Sequence, residues 1–369
     1  MKKILILTAG FGEGHNSAAR GVRDGLARVA PDSEVEMRDL FAEVYGALNQ
    51  QVRRAYLALI NRWPRSWGIV YRWLDRKKDF DKDIAKFSRL KASLARLLES
   101  FQPDAVVSTF PPYPYLVRQI GGQNPRSKNV VVVTDSITVN AIWYHAPGDF
   151  FLVPNEQSAA VVCAAGVDPE RIKVFGFPVS PKFADFAKDR PTTLSPRPRV
   201  LYMISAGTGR APEIVARLLQ LDLELTVTVG RNEKLRRAIE GVVAQRKSRL
   251  RQGYGGQVEI VGWSDQLPRL LSENHLLIGK AGGATVQETI AACCPIIINH
   301  IVSGQEEGNA KLIIETNSGT IAGSPAEIAL MVQDAFANGA KQWHEWAANI
   351  SKLSRPRASL DIAQFLLSI

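Results

Sequence analysis

The chain has 369 residues, 46% of them hydrophobic, enough to bury more than one core and so to predict two domains. Its longest apolar runs, such as Val130–Val133 and Ile296–Ile298, fall far short of the roughly 20 residues that a membrane span needs, which excludes a transmembrane helix. The net charge of +10 is concentrated in one segment, and the three cysteines (Cys163 alone, Cys293 and Cys294 adjacent) suit neither a disulfide framework nor a zinc site.

The first predicted strand, Ile4–Leu7, runs into "TAGFGEGHNSAARGV", where Gly10, Gly12 and Gly14 are followed by His15 at the start of a predicted helix. Met-Lys-Lys before a short apolar run mimics a signal peptide, but no small-residue cleavage site follows, so the reading is strand one of a cytoplasmic protein. From Arg53 to Leu98 there are thirteen Lys and Arg against four Asp. Within and beside that cationic stretch, Val52, Tyr56, Leu59, Ile60 and Trp63 recur at helical spacing, as do Trp67, Val70, Tyr71 and Leu74 after Pro64, with Arg65, Arg72 and Trp73 interleaved. The stripe fits a helix covering a sheet or a face on an anionic bilayer; three of the seven tryptophans within eleven residues favour the bilayer.

Further strands are predicted at Ala105–Ser108, Val130–Thr134 and Phe150–Val153, with Asp135 just past the third strand's carboxyl end. The proline-rich run 189–199, "DRPTTLSPRPR", reads as a linker. Beyond it the pattern restarts: Val200–Ile204 leads into "SAGTGRAP", and strands follow at Leu225–Val229, Val258–Val261 and Leu276–Ile278, with 245–257 as an inserted, solvated loop and no nucleic-acid site. Strands alternating with helices predict an α/β chain of mostly parallel sheets, arranged as two Rossmann-like domains facing across a cleft. The expected boundaries are 1–188, the linker, 200–350, and a helix in 351–369 that packs back on the first domain.

The stretch 278–313, "IGKAGGATVQETIAACCPIIINHIVSGQEEGNAKLI", carries the most chemistry. Gly282 and Gly283 place no side chain before a helix whose free N–H groups and dipole attract an anion, and Glu288 lies one turn inside, suited to ribose hydroxyls. Two glycines before a helix fit a plain turn equally well until "SGQEEGN" is read with them. No metal motif competes: His15, His145, His275, His300 and His344 are scattered, and no Asp-x-Asp occurs.

That stretch resembles the nucleotide-sugar half of the glycosyltransferase family containing the lipid II-forming N-acetylglucosaminyl transferase, the monogalactosyldiacylglycerol synthases and the processive diacylglycerol glucosyltransferases. "GFGEGHNSAARGV", "QPDAVVSTFP", "VVVTDSITVNAIWYHAPGDFFLVPNE" and "RIKVFGFPVSPKF" resemble the diacylglycerol branch, in its order. The resemblance implies a GT-B fold and an inverting, metal-independent transfer of glucose or galactose from a UDP-hexose to diacylglycerol. It implies an enzyme peripheral on the inner face of the cell membrane, in contact with anionic lipids and needing no cofactor.

By the same resemblance Gly282, Gly283 and Thr285, with Gly207, Thr208 and Gly209, contact the diphosphate, and Glu288 the ribose. Gln305 and Glu306 hold hexose hydroxyls with Asn309 in support, while Arg231 and the main chain of Trp263 surround the uracil. On the acceptor side, Gly12 and Gly14 let a head group approach, and His15 is the general base, kept neutral by the helix dipole. Asp135 orients His15 or shares the proton. Asn140 stands near where relatives carry a second histidine. Trp63, Arg65, Trp67, Arg72 and Trp73 meet the bilayer. The alternatives are a polyprenyl-linked acceptor, a UDP-sugar 2-epimerase of the same fold, and a non-catalytic UDP-sugar or lipid-binding module.

Overall fold

The computed structural model describes residues 1–62, 80–121, 127–137, 139–205, 208–249, 257–302 and 306–369. Contacts divide the chain into two units: Met1–Pro181 with Val302–Gly308 and Arg357–Ile369, and Lys182–Ile301 with Asn309–Pro356.

In the first unit β1 (Lys3–Leu7), β2 (Glu34–Arg38), β3 (Ala105–Ser108), β4 (Lys128–Val132), β5 (Phe150–Val153) and β6 (Ile172–Val174) form one parallel sheet of order β2-β1-β3-β4-β5-β6. The central strands are apolar at almost every position and buried on both faces, as parallel strands under crossover helices must be. The chain leaves β1 for β2 on one side and returns through β3 on the other. The loops after β1 and β3 therefore diverge, and a crevice opens at their carboxyl ends. Helix Ala358–Ser368 packs on helix Glu13–Val29 so closely that a Cβ on Gly25 would lie 2.3 Å from the Ser359 carbonyl oxygen. Phe365 fixes the same helix against the sheet, its ring centroid 5.1 Å from that of Phe150.

The second unit repeats the plan with β7 (Arg199–Met203), β8 (Glu224–Gly230), β9 (Val258–Gly262), β10 (Leu276–Lys280), β11 (Ile296–His300) and β12 (Gly319–Ile321), in the order β12-β11-β10-β7-β8-β9. Its switch point falls between β7 and β10. Val200, Tyr202, Val227, Ile278 and Ile297 pack with Val215, Leu218, Val332 and Trp346 from the helices to form its core.

Each sheet has two strands beyond the four expected. β2 (EVEMR) alternates charge because it is a half-exposed edge, and β6 and β12 are three-residue edges too short to leave a periodic signal. The loop expected from Gln245 is helical as far as Arg249, since helix Glu233–Arg249 continues through it, and 250–256 lie outside the described residues. Segment Pro325–Leu353 opens on a capping box of Ser324 and Glu327 and breaks at Ala337–Ala340, where Asn338, Gly339 and Ala340 take positive φ.

The proline-rich run is pinned to the second unit. The buried His275 ring accepts from the Arg199 N–H at 3.0 Å through Nδ1 and meets the Thr193 carbonyl oxygen at 3.3 Å through Nε2. Trp343 Nε1 donates to the His275 carbonyl at 2.8 Å. The contact division accordingly falls after Pro181, ahead of this run. No helix of the described residues is long and apolar enough to cross a membrane.

Candidate functional site

The first-unit site is built at the β1/β3 switch point. After β1 the chain passes Thr8 and enters the glycine loop, where the Gly10 N–H donates to Asp39 Oδ2 at 2.9 Å. A Cβ on Gly10 would sit 3.0 Å from Arg53 Nη1, the movable end of an exposed side chain. Helix Glu13–Val29 begins after Gly12 with no side-chain cap, which makes His15 its third residue. The ring is half-buried, with Nδ1 2.8 Å from the Thr109 carbonyl oxygen and 3.0 Å from Thr134 Oγ1. Phe110 packs against it at 5.2 Å between centroids and Trp143 at 6.1 Å. Burial among these groups lowers the His15 pKa to about 4, against the smaller opposing effect of the Thr109 carbonyl. The imidazole is therefore neutral near pH 7, with desolvation the leading cause.

Asp135 follows Thr134, and its Oδ2 accepts from the Asn140 N–H at 3.3 Å. Asn140 in turn caps helix Ala141–Tyr144 through Ile142 N. Asp135 thus closes the turn carrying Trp143, while the side of His15 that faces the protein is held by Thr109 and Thr134. Sequence reasoning missed both threonines, although a signal existed: Thr8, Thr109 and Thr134 each stand just past an apolar strand run at the sheet's carboxyl edge. Gly14 has open space where a Cβ would project, and Gly12 is in extended backbone open to any residue.

In the second unit β10 ends at Lys280, Gly282 caps helix Gly283–Ala292 through its backbone alone, and no acidic residue lies in the first turn. The opening N–H groups are thus uncapped by side chains beside the β7/β10 switch point, the arrangement that binds an anion. Asn309, buried, donates from Nδ2 to the Ala281 carbonyl at 3.0 Å, and a Cβ on Gly283 would lie 3.7 Å from the same nitrogen. Asn309 therefore fixes the glycine turn from behind. Thr285 and Glu288 are half-buried one turn apart, the Thr285 carbonyl accepting from Thr289 Oγ1 at 2.7 Å.

At the carboxyl ends of β8 and β9 the Arg231 guanidinium lies 4.8 Å from the centroid of Trp263, which is 65% exposed and so is no core residue. Thr208 and Gly209 open the short 3-10 turn Thr208–Arg210, anchored where Arg210 Nη1 donates to the Gly323 carbonyl at 2.8 Å. Arg210, Asn299, His300 and Ile321 line a cavity of about 400 Å³ beside that anchor. Glu306, in the segment grouped with the first unit, is buried, its Oε2 accepting from the Val302 N–H at 3.0 Å.

Gly207, Gln305, Trp63, Arg65, Trp67, Arg72 and Trp73 lie outside the described residues. The helix Leu40–Arg62 that precedes the aromatic stretch exposes Leu48 and Val52, 58% and 49% accessible and one turn apart, followed by exposed Arg53 and Arg54. Among the described residues no three His, Cys, Asp or Glu side chains gather as metal ligands.

Two parallel α/β units, each with a glycine turn opening a helix beside its switch point, give this chain the GT-B fold. The fold matches the solved structure of MurG from Acinetobacter baumannii with a TM-score of 0.64 at 14% identity, covering 100% of both chains. It also matches UDP-GlcNAc 2-epimerase from Neisseria meningitidis at 0.61 and 14%, again over 100% of both. Residues 15–179 match the family described as monogalactosyldiacylglycerol (MGDG) synthase. The probable monogalactosyldiacylglycerol synthase 2, chloroplastic, of Oryza sativa subsp. japonica is 26% identical, the match covering 98% of this chain and 80% of the relative. Over nearly its whole length the chain is thus similar to MGDG synthases.

Proposed function

We propose that the protein transfers a hexose, galactose or glucose, from a UDP-sugar to the free hydroxyl of diacylglycerol at a membrane surface. The observation that carries this reading is His15: a neutral, desolvated imidazole with Nδ1 tied inward, inside the segment that matches the MGDG synthase family. The acceptor hydroxyl gives its proton to the other ring nitrogen as its oxygen attacks the anomeric carbon, and the bond from that carbon to the diphosphate breaks. A single displacement of this kind inverts the anomeric configuration.

The charge that develops on UDP is met by the uncapped N–H groups at Gly283 to Thr285, together with Gly207, Thr208 and Gly209, so the transfer proceeds without a metal ion or cofactor. Glu288 takes the ribose, Arg231 and Trp263 the uracil, and Gln305 and Glu306 the hexose, with Asn309 holding the turn beneath the phosphates. Asp135 supports the acceptor side by closing the turn that carries Trp143. Gly12 and Gly14 border the acceptor: no contact of the chain itself demands glycine at position 14. Exposed Leu48 and Val52 beside Arg53 and Arg54 support docking on anionic lipid, continued by Trp63, Arg65, Trp67, Arg72 and Trp73. The enzyme then works as a peripheral protein on the cytoplasmic leaflet.

The test is product analysis by thin-layer chromatography after incubating the protein with diacylglycerol vesicles, a panel of UDP-sugars and excess EDTA. A glycolipid formed from UDP-galactose or UDP-glucose is expected. Loss of product with EDTA sinks metal independence. Conversion of UDP-GlcNAc without lipid favours the epimerase whose fold is shared, and no turnover on any donor favours a binding module.

A further inference from the structure

The two groups on His15 Nδ1 differ in what they can do. The Thr109 carbonyl oxygen, at 2.8 Å, only accepts, so a neutral ring must carry its proton on Nδ1 to meet it. Thr134 Oγ1, at 3.0 Å, then accepts the same N–H as its second partner. Both acceptors are buried on or beside hydrogen-bonded backbone. Thr109 is fully buried, its N–H bonded to the Leu7 carbonyl at 3.0 Å, and Thr134 is 7% exposed, following Val133, whose N–H is bonded to the Leu152 carbonyl at 2.9 Å. β3 and β4, the strands that deliver them, are neighbours in register, with Ser108 opposite Val131. The edge of Phe110 and the indole of Trp143 wall the ring. Among the described residues no hydrogen-bond partner falls on Nε2.

We infer that Thr134 is a positioning residue for the transfer: with the Thr109 carbonyl it fixes His15 as the Nδ1–H tautomer and leaves the Nε2 lone pair as the proton acceptor. The inference rests on the reading of His15 as the general base. As the acceptor proton arrives at Nε2, the ring becomes an imidazolium whose Nδ1–H is shared by two fixed oxygens. Hydrogen bonds to a charged group are stronger than to a neutral one, so Thr134 contributes more in the transition state than in the resting enzyme. This gives a base of low resting basicity the support it needs only when the proton moves.

The experiment combines a spectrum with two variants of the full-length protein. In a sample with 15N-labelled histidine at neutral pH, the five histidines are few enough to assign His15 by its loss in His15→Gln. The expected spectrum shows a protonated Nδ1 and an unprotonated Nε2; a protonated Nε2 overturns the inference whatever the activity. Thr134→Val is expected to lower kcat about tenfold, the weight of one hydrogen bond to a charged group, with both KM values within about twofold of the parent. Thr134→Ser, which keeps the oxygen, is expected to retain parental kcat. A Thr134→Val enzyme with parental kcat, or a Thr134→Ser enzyme as slow as the valine variant is expected to be, overturns the proposal. Where the valine variant fails to fold, the serine variant and the spectrum still decide. A parent protein without transferase activity refutes the reading of the site, and the spectrum then decides the tautomer alone.

Discussion

Asn309→Leu tests whether the donor turn is held from behind. The substitution keeps the side chain's approximate volume but removes the donor that meets the Ala281 carbonyl at 3.0 Å, in a place where Asn309 is only 7% exposed. Losing the bond costs about 1 kcal/mol, and stranding a buried carbonyl adds about 1–3 kcal/mol. A total of about 2–4 kcal/mol in a unit of this size corresponds to a fall in Tm of roughly 5–15 °C. Ala281 precedes Gly282 and Gly283, so slack there also misdirects the N–H groups offered to the diphosphate. The donor KM is expected to rise about tenfold, equivalent to ~1.4 kcal/mol, with the acceptor KM little changed. The control is Asn349→Leu, which removes a bond of the same kind, Nδ2 to the Asn317 carbonyl at 3.0 Å, elsewhere in the unit. Thermal unfolding and initial rates over a UDP-sugar titration read both effects. The reasoning fails if Asn309→Leu melts with the parent, or if the control raises the donor KM as much.

His15→Gln is expected to lower kcat by about 10²–10⁴ while leaving the donor KM and the neutral-pH Tm near parental values, since glutamine keeps an N–H for Thr109 but offers no base; steady-state rates and melting curves check it. Leu48→Asp together with Val52→Asp is expected to weaken sedimentation with anionic vesicles about tenfold without changing the melting curve, because both side chains are exposed in the free protein. Stability also depends on pH through His275, whose pKa is lowered to about 4 first by burial and second by Arg199. The unfolded chain takes up this proton near pH 6.5 and the folded one near 4. Stability is therefore whole above 6.5 and lost as pH falls between those values, by up to about 3 kcal/mol. Denaturant titrations at pH 7 and 5 on the parent and on His275→Gln should show a flatter pH dependence in the variant.

What the sequence disclosed follows the strength of its physical signals. Doubly buried strands such as "ILIL" and "VVVV" announce a parallel sheet, and glycines after them announce turns at its carboxyl edge. Both sheets and both switch-point loops were legible for that reason. Of the four unpredicted strands, β2 is half solvated and alternates charge and β6 and β12 are too short to show a period, while β11, interior and apolar, was set down only as an apolar run. Residues proposed to act through their own side-chain chemistry, such as His15 and Glu288, stood out by type. Thr109 and Thr134 act through a carbonyl and a hydroxyl set beside His15 by strands some hundred residues downstream, and no local pattern encodes that meeting. The exposure of Trp263 was likewise closed to the sequence, since a tryptophan after a strand fits a core or a surface equally.

The two halves differ chemically at the starts of their switch-point helices. Each helix beside a switch point is preceded by a glycine, Gly12 or Gly282, that supplies no side-chain cap, and the third helical residue is His15 in one and Thr285 in the other. The first helix carries Glu13 at its start, whose negative charge opposes an anion that the dipole would otherwise attract, and Glu13 is held there by Arg20. The second has no acid in its first turn, and its opening residues are Gly283 and Ala284, which leave the backbone N–H groups accessible. On the proposed reading one scaffold separates two incompatible tasks by first-turn chemistry: a seat for phosphate needs bare amides and no acid, and a neutral base needs desolvation and no bound anion to draw a proton onto it. Exchanging the two helix starts would defeat both, since a diphosphate beside His15 would raise its pKa and a carboxylate beside Gly283 would repel the leaving group.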